Sequence, residues 1–167
     1  MKDKHNSFVI FLDVDGVLNT RATAETTPEG NIGIDYARVS ILAKAMKKYS
    51  GGQIRGDIVL TSDWKDMKPE RQDYIYLVSK LAECKLEISG HINGVKSERG
   101  AGVKEYLNNH PEIKEYVILD DNKFDFSRYI DLWEHLLLTN GIENVEYASR
   151  TPAVDAILFM GDIKSSS

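Results

Sequence analysis

The stretch Ser7-Phe8-Val9-Ile10-Phe11-Leu12-Asp13-Val14-Asp15-Gly16-Val17-Leu18-Asn19 decides how the rest of the chain reads. From Phe8 to Leu12 the run is unbroken and apolar, the pattern of a parallel strand buried on both faces. Two carboxylates then follow, two residues apart, as the chain leaves the strand. Gly16 permits the sharp turn that brings both toward one point. A calcium loop is excluded, because the remaining ligand positions and the closing glutamate are missing and the flank is a strand.

Working outward, apolar spacing predicts a helix from Asp35 to Tyr49 through Val39, Leu42, Ala43 and Met46, with Gly51-Gly52 as its stop. Asp57 to Leu60 reads as a second buried strand. Pro69 opens the next helix, whose apolar side includes Ile75, Leu77, Val78 and Leu81. Leu86 to Ser89 is a weaker strand. Gly100 to Asn109 is a short helix ended by Asn108-Asn109-His110-Pro111. Tyr116 to Leu119 is a strong strand running into Asp120-Asp121. Leu136 to Thr139 is another, and Pro152 to Met160 is a closing helix. Strands alternating with helices predict a three-layer α/β/α, Rossmann-like fold with a mainly parallel five-stranded sheet. Residues 1–167 are expected to form one domain, with frayed ends at 1–6 and 163–167.

Such sheets bind ligands beyond the carboxyl ends of their strands. The residues delivered there are Asp13 and Asp15, Thr61 and Ser62, and Asp120 and Asp121. Adjacent buried carboxylates repel unless a cation or protons offset them. An oxygen cluster of this kind favours a hard ion such as Mg²⁺. Asp125, four residues beyond Asp121, reads equally as part of the cluster or as a helix cap. Thr61 and Ser62 read as caps of the next helix or as donors to a phosphoryl oxygen, with Thr61 ahead. In Lys96-Ser97-Glu98-Arg99-Gly100, one of Lys96 and Arg99 would neutralise charge on a nucleophile and phosphate. The other reads as a solvated loop charge. Trp64 is expected to pack beside the site and Trp133 to cover the last strand. His91, His110 and His135 lack metal-ligand spacing and read as surface or loop residues.

The 167 residues are 42% hydrophobic and 28% charged, a globular balance. No apolar run is long enough to cross a bilayer, and Phe8 to Leu12 is too short for the core of a signal peptide. One cysteine, Cys84, cannot form an intrachain disulfide and reads as a small core residue, which points to a cytoplasmic setting. The net charge of −5 argues against tight non-specific nucleic-acid binding but leaves room for a local basic groove.

Strand-DxDG, strand-Thr/Ser, Lys/Arg at a helix start and strand-DD, in this order, resemble the haloacid dehalogenase (HAD) superfamily of phosphohydrolases. The narrower series FLDVDGVLN, TSDWK, RGAGVKEYLNNHP, VILDD and LLLTNGIE is similar to the HAD-type domain of bacterial RNA-repair proteins. The resemblance implies that Asp13 attacks phosphorus and carries an aspartyl-phosphate. It implies that Asp15 protonates the leaving oxygen and then deprotonates the hydrolytic water. Thr61 would hold the phosphoryl group, and Arg99 or Lys96 would neutralise it. Asp121, Asp13 and the backbone carbonyl of Asp15 would ligate Mg²⁺, with Asp120 and Asp125 in support. The expected partner is a phosphorylated substrate, RNA and DNA ends among them, with no membrane and no obligate protein partner. Between Asn19 and Asp35, and between Ser62 and Lys96, there is no room for the large cap many superfamily members carry, so an open site is expected.

Two other readings compete. A catalytically silent module would keep the fold and bind phosphate or metal, but the presence of both Asp13 and Asp15 argues against it. A receiver-type signalling domain places its acidic pair first and its acceptor aspartate third. Here the order is reversed, and that reading fails.

Overall fold

Strand β1 (Phe8–Leu12) is buried along its whole length. Ile10 and Leu12 point into one hydrophobic core, and Val9 and Phe11 into a second on the opposite face. That two-sided burial is why its sequence is continuous rather than alternating. The computed structural model describes residues 7–52 and 56–167. The fraying expected of 1–6 lies outside them.

The other strands are β2 (Asp57–Leu60), β3 (Ile88–His91), β4 (Glu115–Asp120), β5 (Leu136–Thr139) and β6 (Val145–Tyr147). Their order is β3-β2-β1-β4-β5-β6. Every neighbouring pair is parallel except β5 with β6. Among the described residues the sheet thus has six strands rather than the five expected. The extra strand is three residues long with two of them exposed, too short and too wet to carry a burial pattern. A turn closed by Asn140 N donating to Asn144 O at 2.9 Å folds it back on β5.

Helices α1 (Tyr36–Tyr49), α2 (Gln72–Ala82) and α5 (Val154–Ser166) cover one face of the sheet. Helices α3 (Arg99–Asn109) and α4 (Ile130–His135) cover the other. This is the expected three-layer arrangement. α5 runs on through the serine-rich end that reads as frayed, anchored by buried Phe159 and Ile163. α4, six residues long, was not anticipated.

Helix α2 departs from its expected phase. Ile75 and Val78 are exposed, and Asp73, Leu77 and Leu81 face inward. The reason is the loop after β1. Asp73 accepts hydrogen bonds from Thr27 Oγ1, Glu29 N and Asn31 Nδ2, all at 2.9–3.0 Å. Glu29 in turn accepts from Asp73 N at 3.0 Å, so the helix is capped from that loop and begins at Gln72 rather than Pro69. A buried carboxylate with three donors is satisfied, and it fixes which side of α2 turns inward. The loop is thereby pinned beside the sheet, and among the described residues no large cap covers the strand ends. Among the described residues, no helix is long and apolar enough to cross a membrane.

Candidate active site

Asp13 N donates to Leu119 O at 3.0 Å, and Thr61 N donates to Leu12 O at 2.9 Å. The end of β1 is therefore flanked by the ends of β2 and β4, at the strand where the order of the sheet reverses. Asp13, Asp120 and Asp121 each bring one oxygen within 4.8 Å of the others. Gly16 makes this approach possible. Its φ is +88°, and a Cβ there would lie 2.3 Å from Asp121 Oδ2. The turn is tied to the end of β5 by Thr139 Oγ1 donating to Gly16 O at 2.7 Å.

Arg99 is buried against this cluster. Its Nη1 donates to Asp120 Oδ2 at 2.7 Å and lies 3.1 Å from Asp13 Oδ1. The guanidinium carbon sits 4.5 Å from the centroid of the Phe124 ring. Phe124 holds a left-handed backbone with φ +41°, an uncommon conformation for a bulky residue. Burial, reinforced by the charges of Asp120 and Asp121, pushes the Asp13 carboxyl well above the usual range, and Arg99 offsets only part of this. Burial likewise raises Asp120 to about 6, against the pull of Arg99 and of Asn122 N at 3.0 Å. One cation facing three carboxylates leaves a deficit that a divalent ion would fill. The ligand set is all carboxylate oxygen, with no imidazole or thiolate, which suits a hard ion such as Mg²⁺.

Asp15 stands outside that cluster, and both its oxygens are held. Oδ1 accepts from Asn19 Nδ2 at 2.9 Å and Oδ2 from Trp64 Nε1 at 3.1 Å. Asn19 is itself fixed by Gly16 N donating to its Oδ1 at 3.0 Å and by its own Nδ2 donating to Gly33 O at 2.8 Å. Trp64 packs beside the site as expected, but it also orients the Asp15 side chain. The signal for this was the indole N–H, a donor that seeks a partner when buried. Asn19 was missed; an asparagine closing a turn that carries carboxylates is the local sign of it.

The paired candidates separate. Ser62 Oγ accepts from Trp64 N at 3.2 Å and caps the 3-10 turn Asp63–Asp66. Thr61 Oγ1 is buried with no hydrogen-bond partner among the described residues. Lys96 is exposed and lies 3.8 Å from Asp63, whereas Arg99 occupies the interior. Asp125 is not brought to the carboxylate cluster as a ligand. It accepts from Gly100 N at 2.6 Å and Ala101 N at 3.1 Å, capping α3 from outside the helix. Orphan amides at a helix start draw a carboxylate strongly, and here they take both of its oxygens.

A family model, that of the HAD domain in Swiss Army Knife RNA repair proteins, matches residues 9–145. The matched span runs from β1 to the start of β6 and includes every residue of the cluster. No curated protein and no solved structure matches the chain.

Proposed function

The chain belongs to the family of HAD domains in Swiss Army Knife RNA repair proteins, and on that premise we propose that it is a Mg²⁺-dependent phosphomonoesterase that forms an aspartyl-phosphate on Asp13. The observation that carries this reading is the convergence of Asp13, Asp120 and Asp121 within 4.8 Å, with Arg99 lodged against two of them. Asp13, Asp121 and the backbone carbonyl of Asp15 would hold the ion, which supplies positive charge to the incoming phosphate.

The chain's own groups divide the remaining work. Arg99 offsets negative charge beside the nucleophile, and Thr61 offers a hydroxyl that no protein atom engages. An oxygen of Asp13 bonds to phosphorus as the bond from phosphorus to the leaving oxygen breaks, and Asp15 gives that oxygen its proton. Water then attacks the aspartyl-phosphate and passes a proton to Asp15. The bond between phosphorus and Asp13 breaks, and inorganic phosphate leaves. Phosphoryl transfer needs chiefly in-line placement and charge neutralisation, and these residues provide both. The fixed orientation of Asp15 between Trp64 and Asn19 supports its role as acid and base.

A site without a large cap suits a phosphate at the end of a large molecule, and an RNA or DNA end is the substrate we favour. The lone cysteine supports a cytoplasmic setting. Release of phosphate from an aryl phosphate, with and without Mg²⁺, tests the chemistry. Asp13→Asn is expected to abolish it; equal rates in the variant would reject the mechanism. Oligonucleotides phosphorylated at the 3′ or 5′ end test the substrate, and release from neither rejects that specialisation.

A further inference from the structure

We propose that the cleft beside Asp15 is the seat of the leaving group, and that Arg21 makes it select leaving groups bearing a second anion. The inference rests on the phosphatase reading above and adds to it a specificity residue.

In-line displacement puts the leaving oxygen on the side of phosphorus away from Asp13. The group that protonates this oxygen must lie within hydrogen-bond reach of it. The leaving group therefore sits where Asp15 faces open space. Among the described residues, two clefts that border Asp121 can be compared. One, of about 470 Å³, is lined by Lys123, Thr139 and Asn144 and does not include Asp15. The other, of about 540 Å³, is lined by Asp15, Arg21, Ala22, Ile32 and Asn140. Of these two, the second meets the requirement.

Its walls have a mixed character. Ile32, 42% exposed, and Ala22 offer an apolar surface. Arg21 is exposed and has no carboxylate partner among the described residues. An unpaired guanidinium at the rim of a cleft is a ready site for a phosphate oxygen. Asn140 also lines this cleft, with an amide that can donate or accept. An apolar wall, an amide and a free cation beside the general acid match a leaving group with a flat ring and a second phosphate, the chemistry of a nucleotide. The wall that carries Arg21 and Ile32 is preformed. Asp73 holds the backbone before Ile32 through Thr27, Glu29 and Asn31, and the turn that carries Arg21 is held by Thr20 N donating to Thr23 Oγ1 at 2.9 Å and by Thr23 Oγ1 donating to Asp35 Oδ2 at 2.8 Å. Binding there needs no ordering of the loop.

The test compares a nucleoside 3′,5′-bisphosphate with the faster of the two monophosphates of the same nucleoside, in the presence of Mg²⁺. The quantity read is the ratio of their kcat/KM values, with an aryl phosphate as reference. The wild-type chain is expected to favour the bisphosphate by about tenfold or more, the scale of one charge-assisted hydrogen bond. Arg21→Gln is expected to reduce the ratio to below about threefold, and Arg21→Lys to keep most of it, since a point charge suffices. A wild-type ratio near one, or a ratio unchanged in Arg21→Gln, overturns the assignment while aryl phosphate hydrolysis leaves the phosphatase reading standing. No release from any of these substrates overturns both.

Discussion

The Arg99 guanidinium lies 3.1 Å from the Asp13 carboxylate, and both groups are all but sealed from solvent. Removing the cation leaves Asp13 and Asp120 buried without an internal counter-charge. Arg99→Met keeps most of the volume, so its cost isolates the charge. At about pH 7.5 and without divalent ions the variant is expected to lose about 3–5 kcal/mol of stability. The sign with pH follows from the carboxylates. Both are already raised by burial, and losing Arg99 raises them further. Near pH 5 the folded variant takes up protons and its deficit shrinks. Urea denaturation at the two pH values measures this, and an equal deficit at both would contradict it.

Thr61 makes the opposite prediction. Its buried hydroxyl has no partner, and an unsatisfied group of this kind costs about 1–3 kcal/mol. Thr61→Val keeps the shape and removes the cost. The variant is expected to match or exceed the wild-type denaturation midpoint while its kcat/KM falls by about tenfold or more. A variant that loses stability would mean that the hydroxyl is engaged inside the fold.

Trp64 Nε1 donates to Asp15 Oδ2 at 3.1 Å, which makes Trp64 a positioning residue for Asp15. Trp64→Phe removes the N–H that holds Asp15 Oδ2 and keeps most of the packing. Protonation of the leaving oxygen matters little for an acidic phenol and greatly for an alcohol. The variant is expected to lose about tenfold in kcat on an alkyl phosphate and less than about threefold on a nitrophenyl phosphate. Parallel losses on both would show that Trp64 serves packing alone.

Asp125 separates capping from metal binding. Its oxygens serve Gly100 N and Ala101 N, so Asp125→Ala is expected to cost about 1–2 kcal/mol of stability. The Mg²⁺ concentration giving half-maximal activity should shift by no more than about twofold. A tenfold rise would make Asp125 a ligand.

What was legible in the sequence follows from where each signal is encoded. β1, and β4 from Tyr116 on, are buried, and no charged residue interrupts either until its acidic end. Their carboxylates could be read as converging because every parallel strand delivers its end to one edge. Other features depend on contacts between distant segments. The phase of α2 is set by donors in the loop after β1, so hydropathy alone placed Ile75 and Val78 inward. Lys96 and Arg99 were equivalent on paper. Only the start of α3 at Arg99, held by Asp125, turns one inward and leaves the other in solvent. β6 was invisible because a three-residue edge strand has no periodicity to read.

His135, expected at the surface or in a loop, closes α4 and stacks on the Tyr116 ring at 4.0 Å between centroids. Its Nδ1 donates to Asp131 O at 2.7 Å, and Nε2 lies 3.3 Å from Asp155 Oδ2. Burial pulls the imidazole toward a lower pKa, but Asp155 and the Asp131 carbonyl outweigh it and the net shift is upward. Asp155 is shifted down, His135 and Tyr116 N overcoming the effect of its burial. A histidine raised in the folded state contributes its full stabilisation below the unfolded value of about 6.5 and loses it as the pH climbs through the folded value. The Asp155 contribution fades only in acid, well below that window. His135→Gln removes the charge and keeps a donor. It is expected to be about 1 kcal/mol less stable than wild type near pH 6, with the gap closing toward pH 8.5. Urea midpoints across that range measure the gap. A gap that stays constant or widens with rising pH would mean that the pair is not an ion pair in the folded chain.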